Sequence, residues 1–297
     1  MNRRRQWIYF LLMTAPALTG FAIFTAYPML RSLWLSFTQY DGVSEPRFVG
    51  LSNYIYLFVH EPSFWPSIKV TALYTAFSVP LGLLASLGTA LLLNTKVRGI
   101  GVYRTIFFLP SILPATASGV LWVWIFHPGY GLLNTFLRAA GVETPPAWTS
   151  SPTWALPALV IMSVWGFGGG MVVFLAGLQN VPRSLYEAAQ IDGAGAWTQF
   201  RHVTLPQLSP VVFFNLVMGV IGAMKVFDSA YIFGAATGVA PGGPARATLF
   251  YVLNLYQKAF GYFHFGLASA MAWLLFLAIG LLTYLNFRAA KRWVHHD

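Results

Sequence analysis

The sequence predicts an all-α membrane protein with six transmembrane helices. Three observations lead there. Hydrophobic residues make up 57% of the 297 and charged residues only 9%, whereas soluble proteins carry roughly 25% charge. Mean hydropathy is +0.62, so water is not the main solvent of this chain. Six apolar stretches reach the roughly 20 residues that a helix needs to cross a hydrocarbon core.

The first span covers about residues 7–30. Trp7–Leu30 holds no charged residue and follows Met1-Asn-Arg-Arg-Arg5. It is too long for a signal-peptide core, and no small-x-small cleavage site ends it, so it reads as a retained helix. The second span runs over 70–94. The third runs over 105–127, where Pro110 and Pro114 mark either kinks or a hinge. The fourth covers 155–179 and contains GFGGG at 166–170. The fifth, about 208–233, carries Lys225 and Asp228 near its far end, three residues apart and so on one helix face. The sixth covers 265–287.

Six spans put both termini on one side, and lysine and arginine choose the side. One set of connections holds Arg3, Arg4, Arg5, Lys96, Arg98, Arg104, Arg183, Arg201, Arg288, Lys291 and Arg292. The other holds Arg31, Arg47, Lys69, Arg138, Arg246 and Lys258, together with Asp41, Glu45, Glu61 and Glu143. The richer set is expected in the cytoplasm, with both termini. The net charge of +10 is explained by this asymmetry and calls for no nucleic acid. The outer connections, 38–69, 128–154 and 234–264, are rich in Pro, Gly and aromatics, with PGYGLL at 128–133, ETPPAW at 143–148 and PGGP at 241–244. They suit interfacial turns and short helices rather than a separate domain.

One cytoplasmic segment, 183–206, breaks the apolar pattern. SLYEAAQID at 184–192 has good helix formers and a Ser able to cap its start. GAG at 193–195 ends that helix, because Gly accepts the left-handed backbone of a sharp turn. AWTQFRHV at 196–203 reads as a second short helix, and TLP at 204–206 opens the next span with Pro in its first turn. On composition this is a solvated loop. Its arrangement is more specific. Glu187, Ala188, Ala189, Asp192, Gly193, Ala194, Phe200, Leu205 and Pro206 spell E-A-A-x-x-D-G-A, then Phe, then L-P. This resembles the EAA signature of the inner-membrane permease subunits of binding-protein-dependent ABC importers. FVGLSNY at 48–54, FFLPSILP at 107–114, PGYGLLN at 128–134, LQNVPRSLYEAAQIDGA at 178–194 and FGLASAMAWLLF at 265–276 resemble the sugar-permease branch, of maltose and glycerol-3-phosphate type.

The resemblance implies a type I ABC importer permease fold in the cell membrane, with a sugar or sugar-like solute. It implies that 183–206 is a coupling helix docking on a separate ATPase. The small residues let that partner approach, Glu187 supplies charge and Gly193 sets the angle. ATP is hydrolysed by the partner, so the chain is not itself an enzyme. The implied assembly has a second permease making a heterodimer, two copies of the ATPase and an extracytoplasmic solute-binding protein. By position against maltose-type permeases, Gly166, Gly169, Gly219, Ala223 and Val226 match places that line a mid-membrane sugar site. Side chains able to meet sugar hydroxyls are mostly missing at those positions. Asn215, Trp165 and Tyr231 are the nearby substitutes.

Lys225 and Asp228 read as a mutual ion pair, or as an outer gate or solute contact, because a lone charge inside a bilayer is costly. The chain has no Cys, which excludes disulfides and thiolate metal sites. His60, His127 and His264 fall on outer connections, His202 in the polar segment, and His295 and His296 at the end. None suggests a metal site, and no cofactor is implied. GFGGG lacks the Lys of a phosphate loop, and no paired-carboxylate, GxSxG or HExxH constellation occurs. The rival readings are an ion-gradient-driven transporter, which needs a repeat or a midplane ion site, a membrane-embedded enzyme, and an ABC permease for a non-sugar solute.

Overall fold

The structure, a computed structural model, describes residues 3–95, 97–238 and 242–294. Lys96, Pro241, His295 and His296 lie outside the described residues. The elements in order are α1 (Arg3–Phe21), α2 (Tyr27–Leu35), β1 (Thr38–Gln39), β2 (Arg47–Phe48), α3 (Ser52–Val59), α4 (Phe64–Leu93), α5 (Ile100–Phe108) and α6 (Ala115–Ile125). They continue with α7 (Leu132–Ala139), α8 (Ala155–Trp165), α9 (Gly168–Asn180), α10 (Arg183–Ile191), α11 (Ala196–Gln199), α12 (Leu205–Met224), α13 (Asp228–Thr237), α14 (Tyr251–Tyr256) and α15 (Phe265–Ala290). Among the described residues the strands amount to one two-residue antiparallel pair, Thr38 opposite Phe48 and Gln39 opposite Arg47.

Four helical stretches are long and apolar enough to cross a membrane unbroken: Tyr9–Leu35, Phe64–Leu93, Ala196–Met224 and Phe265–Ala290. Two bent helix pairs reach the same length and apolarity when each pair is taken together. α5, prolonged by a 3₁₀ turn to Ile112, meets α6 at 97°, and α8 meets α9 at 44°. Of the kink and the hinge that Pro110 and Pro114 allow, the structure has a sharp kink in the third stretch, and the fourth is bent as well. At the first, Leu113 is extended (φ −65°, ψ 136°), the conformation that a following proline imposes. Pro110 and Pro114 also lack the N–H that would carry the ladder through. At the second, the backbone turns at Gly166 and Phe167.

The fifth span needs a larger correction. Its helix begins at Ala196, passes through a π-turn at Phe200–Thr204 and ends at Met224. AWTQFRHV is therefore the first part of the membrane helix, not a separate one. Lys225 ends the helix and Asp228 starts α13. They do not share a helix face, and they form no ion pair with each other.

The chain divides into two compact units, Met1–Pro62 with Leu255–Leu277, and Ser63–Asn254 with Ala278–Asp297. In the first unit, Asn53 Nδ2 donates to the carbonyls of Ser36 and Thr38 at 2.8 and 2.9 Å, tying α3 to β1. Gly266 N–H donates to Tyr40 O at 3.2 Å. A side chain at Gly266 would run into Thr38 O, so this approach requires glycine. Glu61 and Lys258 form a buried ion pair at 2.8 Å. In the second unit, α4 packs against α8, α9 and α12, and α6 packs against α13. Phe126, Leu159, Phe233, Phe250 and Leu253 centre one apolar cluster, and Ala90, Met171, Phe174 and Leu208 another. Asn254 is buried and satisfied by Ser63 and Ser67, which pins it to the start of α4. Leu84, Leu92 and Val172 are exposed on these helices, as a lipid-facing surface requires.

Candidate functional site

Four helices of the second unit line a cavity of about 290 Å³. From α4 come Tyr74, Ser78, Gly82 and Ser86, spaced by four so that they form one stripe. From the α8–α9 pair come Ser163, Gly166, Phe167 and Gly170. From α12 and the residues after it come Asn215, Gly219, Gly222, Ala223 and Val226. Glycine is what allows the walls to approach. A Cβ on Gly170 would lie 2.7 Å from Ser86 Oγ and 3.3 Å from Asn215 Oδ1, and one on Gly219 would lie 3.2 Å from Val79.

Phe167 O, at the start of α9, accepts both the helical bond from Met171 N–H at 3.0 Å and a second hydrogen bond from Ser86 Oγ at 3.0 Å. Asn215 Nδ2 donates to Val211 O at 2.9 Å, which leaves its Oδ1 on the Gly170 side. Ser163 Oγ donates to Val160 O at 2.7 Å. Ser78 Oγ is buried without a hydrogen-bond partner. Such a group is uncommon in a folded protein and costs about 1–3 kcal/mol if left unmet. No charged side chain lines the cavity.

A second cavity of about 230 Å³ shares Tyr74, Ser163 and Gly166 with the first and adds Ser111, Ser118, Trp165 and Ser229. Of the sequence-derived pathway residues, the structure thus brings Gly166, Asn215, Gly219, Ala223 and Val226 around one cavity, with Trp165 in the adjoining one. Gly169, Lys225, Asp228 and Tyr231 line neither. Gly170, not its neighbour Gly169, lines the cavity. The aligned positions themselves carry no hydroxyl-binding side chains, but other residues of the wall do. Tyr74, Ser78, Ser86 and Ser163 supply them from α4 and α8. Their signal was the four-residue spacing along α4.

The polar segment 183–206 is built differently. α10 starts after Pro182, with no side chain capping it, so Ser184 is not the cap expected. It ends in a Schellman motif: Gly193 N–H bonds Gln190 O at 3.0 Å, and Ala194 N–H bonds Ala189 O at 2.8 Å. Gly193 has φ +78°, as that motif requires. Gln199 Nε2 donates to Ala194 O at 2.8 Å, bracing the turn. Tyr186 Oη and Thr204 Oγ1 share a hydrogen bond at 3.0 Å, which joins α10 to the helix that becomes α12. Glu187, Ala188, Asp192 and Gly193 are exposed, Ala189, Ala194, Phe200, Leu205 and Pro206 are half-buried, and Ile191 and Trp197 are 87% and 71% exposed. Apolar exposure of that degree beside charge is the character of a protein-contact surface.

A multi-span helical protein with an internal uncharged cavity and an exposed capped helix belongs to the class of membrane permeases. The chain belongs to the family described as the binding-protein-dependent transport system inner membrane component, whose model matches residues 78–295. It is 43% identical over 284 residues to the probable ABC transporter permease protein YesP of Bacillus subtilis (strain 168), covering 95% of this chain and 90% of that one. It is 34% identical over 283 residues to the lactose transport system permease protein LacF of Rhizobium radiobacter, covering 94% and 93%. The crystal structure of a bacterial ABC transporter involved in the import of the acidic polysaccharide alginate contains a chain with the same fold, at a TM-score of 0.80 and 22% identity over 97% of this chain and 96% of that one. The protein is therefore a multi-pass inner-membrane permease subunit of an ABC transport system. It forms the translocation pathway, works with a solute-binding protein, and leaves ATP hydrolysis to a separate ATPase. That excludes the ion-gradient and membrane-enzyme readings.

Proposed function

We propose that this permease imports an uncharged sugar or sugar-like solute through the cavity between α4, α8–α9 and α12. In this reading Trp165, Gly166, Asn215, Gly219, Ala223 and Val226 belong to the pathway, with Tyr74, Ser78, Ser86 and Ser163 added. Hydroxyls and an amide both donate and accept, which suits a solute covered in hydroxyl groups. The lack of any charged side chain in the wall argues against a phosphorylated or zwitterionic solute, whose charge would be buried unpaired at a cost of several kcal/mol. The relation to a lactose permease supports the same solute class.

Glu187, Ala188, Ala189, Asp192, Gly193, Ala194, Phe200, Leu205 and Pro206 form the ATPase-coupling element, facing the cytoplasm with both termini. The assembly is a heterodimer with a second permease above two ATPase copies. One observation carries the coupling argument. The rod Ala196–Met224 holds Thr204, the anchor of α10, and also Asn215, Gly219 and Ala223 of the cavity wall. Movement imposed on α10 reaches the cavity along a single helix.

The test is ATP-dependent uptake in proteoliposomes holding the whole complex, with Glu187→Lys and Gly193→Phe, alongside co-purification of the ATPase. The expected result is lost uptake with the ATPase released or uncoupled. Unchanged uptake in both variants, or uptake without ATP, would sink the coupling assignment.

A further inference from the structure

We infer that the first unit carries a second sugar-binding pocket, separate from the membrane cavity. It has a volume of about 520 Å³, within the range of about 300–1,000 Å³ usual for small-molecule sites. Gln39, Tyr40, Asn53, Tyr56, His60 and His264 are among the residues that line it, at the end of β1, along α3 and just before α15.

The walls are fixed by bonds already satisfied. Asn53 spends its amide N–H groups on Ser36 O and Thr38 O. Gly266, also in the lining, is held against Thr38 and Tyr40. Tyr40 Oη donates to Gly42 O at 3.1 Å. The groups left over are the ones a ligand can use. The Gln39 amide, the Tyr56 hydroxyl and the imidazoles of His60 and His264 make no hydrogen bond among the described residues, and all four residues are exposed. The Tyr56 and His60 rings lie 6.1 Å apart along α3, so flat apolar faces stand beside polar edges. No lysine, arginine, aspartate or glutamate lines the pocket, and Glu61, next to His60, is already paired with Lys258.

Amide, phenol and imidazole groups, each able to donate and accept, with aromatic faces between them and no fixed charge, select a neutral polyhydroxylated molecule. A metal ion would want a third ligand, and the described residues contain no group of three His, Cys, Asp or Glu side chains. The inference rests on the sugar-importer reading and on the topology that puts connections 38–69 and 234–264 outside. On that topology the pocket opens on the outer face, as a weak site for solute released there by the binding protein.

The test uses the intact permease–ATPase complex in proteoliposomes, with the solute-binding protein supplied outside and glucose, lactose and maltotriose as probes. Carbethoxylation of each histidine by diethylpyrocarbonate is read by mass spectrometry, and uptake is measured on the same preparation. A bound sugar should slow modification of His60 and His264 about threefold or more while exposed His202 is unchanged. Tyr56→Ala and Gln39→Ala should abolish that protection and raise the uptake KM about tenfold with kcat and ATPase activity unaltered. Uptake of a probe with no protection overturns the pocket and leaves the importer reading intact. Protection that survives both variants also overturns it. So do histidines already unreactive in the sugar-free complex, which would show the face covered by another chain. No uptake of any probe sinks the sugar reading and this inference with it.

Discussion

The polar segment 183–206 and the cavity between the helices are built in opposite ways. The segment is convex and exposed, and nearly all its bonds are local. The Schellman turn, the Gln199–Ala194 brace and the Tyr186–Thr204 link all close within 18 residues of chain. The cavity is concave, and its walls come from helices up to about 150 residues apart in sequence, from Tyr74 to Val226. Local bonds make a stiff handle whose shape does not depend on its surroundings. Close glycine contacts make a chamber whose shape depends on every neighbour. A transporter needs both, because force must enter through a part that does not deform and act on a part that does.

Four substitutions separate the two regions. The largest effect is expected from Gly170→Leu, which drives a side chain into Ser86 and Asn215. Overpacking costs about 1–3 kcal/mol, and uptake should fall about 100-fold while the ATPase still co-purifies. A wild-type uptake rate in this variant would show that the cavity is not the path. Next is Gly193→Val. No neighbouring atom stands in its way, but its φ of +78° costs an L-residue about 1–2 kcal/mol. Uptake should fall about tenfold while sugar still protects the histidines of the outer pocket. Loss of that protection would mean that the segment and the solute sites are not separable.

Tyr186→Phe should have a smaller effect. It removes one hydrogen bond worth about 0.5–1.5 kcal/mol, and the ATP consumed per solute should rise roughly threefold with ATPase binding intact. Unchanged stoichiometry would make Tyr186 merely a packing residue. The smallest effect is expected from Ser78→Ala. It deletes a hydroxyl that the protein itself leaves unpartnered, so stability should not fall. The uptake KM should rise about threefold, the loss of one shared hydrogen bond with the solute.

The same contrast explains what could be read from the sequence. The coupling segment was legible because its turn chemistry is local, down to the left-handed Gly193. The error there was Ser184, since α10 starts from Pro182 instead. The cavity was half legible. Gly219 of α12 does line the cavity, whereas on α9 the lining glycine is Gly170 and not Gly169. Gly169 came from position against maltose-type permeases, which carries no information on how the break at Gly166–Phe167 turns the helix that follows. The Tyr74-Ser78-Gly82-Ser86 stripe was overlooked because single serines in an apolar helix carry no signal until their spacing is noticed. Lys225 and Asp228 were put on one face because no Gly or Pro at 225–227 announces the helix end. The bend at Pro110 and Pro114 was foreseen as a possibility, but proline spacing alone does not set an angle.

The π-turn at Phe200–Thr204 sits inside a helix of 29 residues, about 43 Å long at 1.5 Å per residue. Such a turn takes up one surplus residue without breaking the rod. It therefore works as a phase adjuster between two faces. Upstream, Gln199 faces the turn that ends α10, and downstream Asn215, Gly219 and Ala223 face the cavity. Each residue added to or removed from a plain helix turns everything beyond it by about 100°. Removing one residue from the π-turn would leave both faces chemically intact but pointed about a quarter-turn apart. The segment would keep its turn and the wall its glycines, but the two would no longer be in register. In that sense the relation between them is written in an angle as well as in any single side chain.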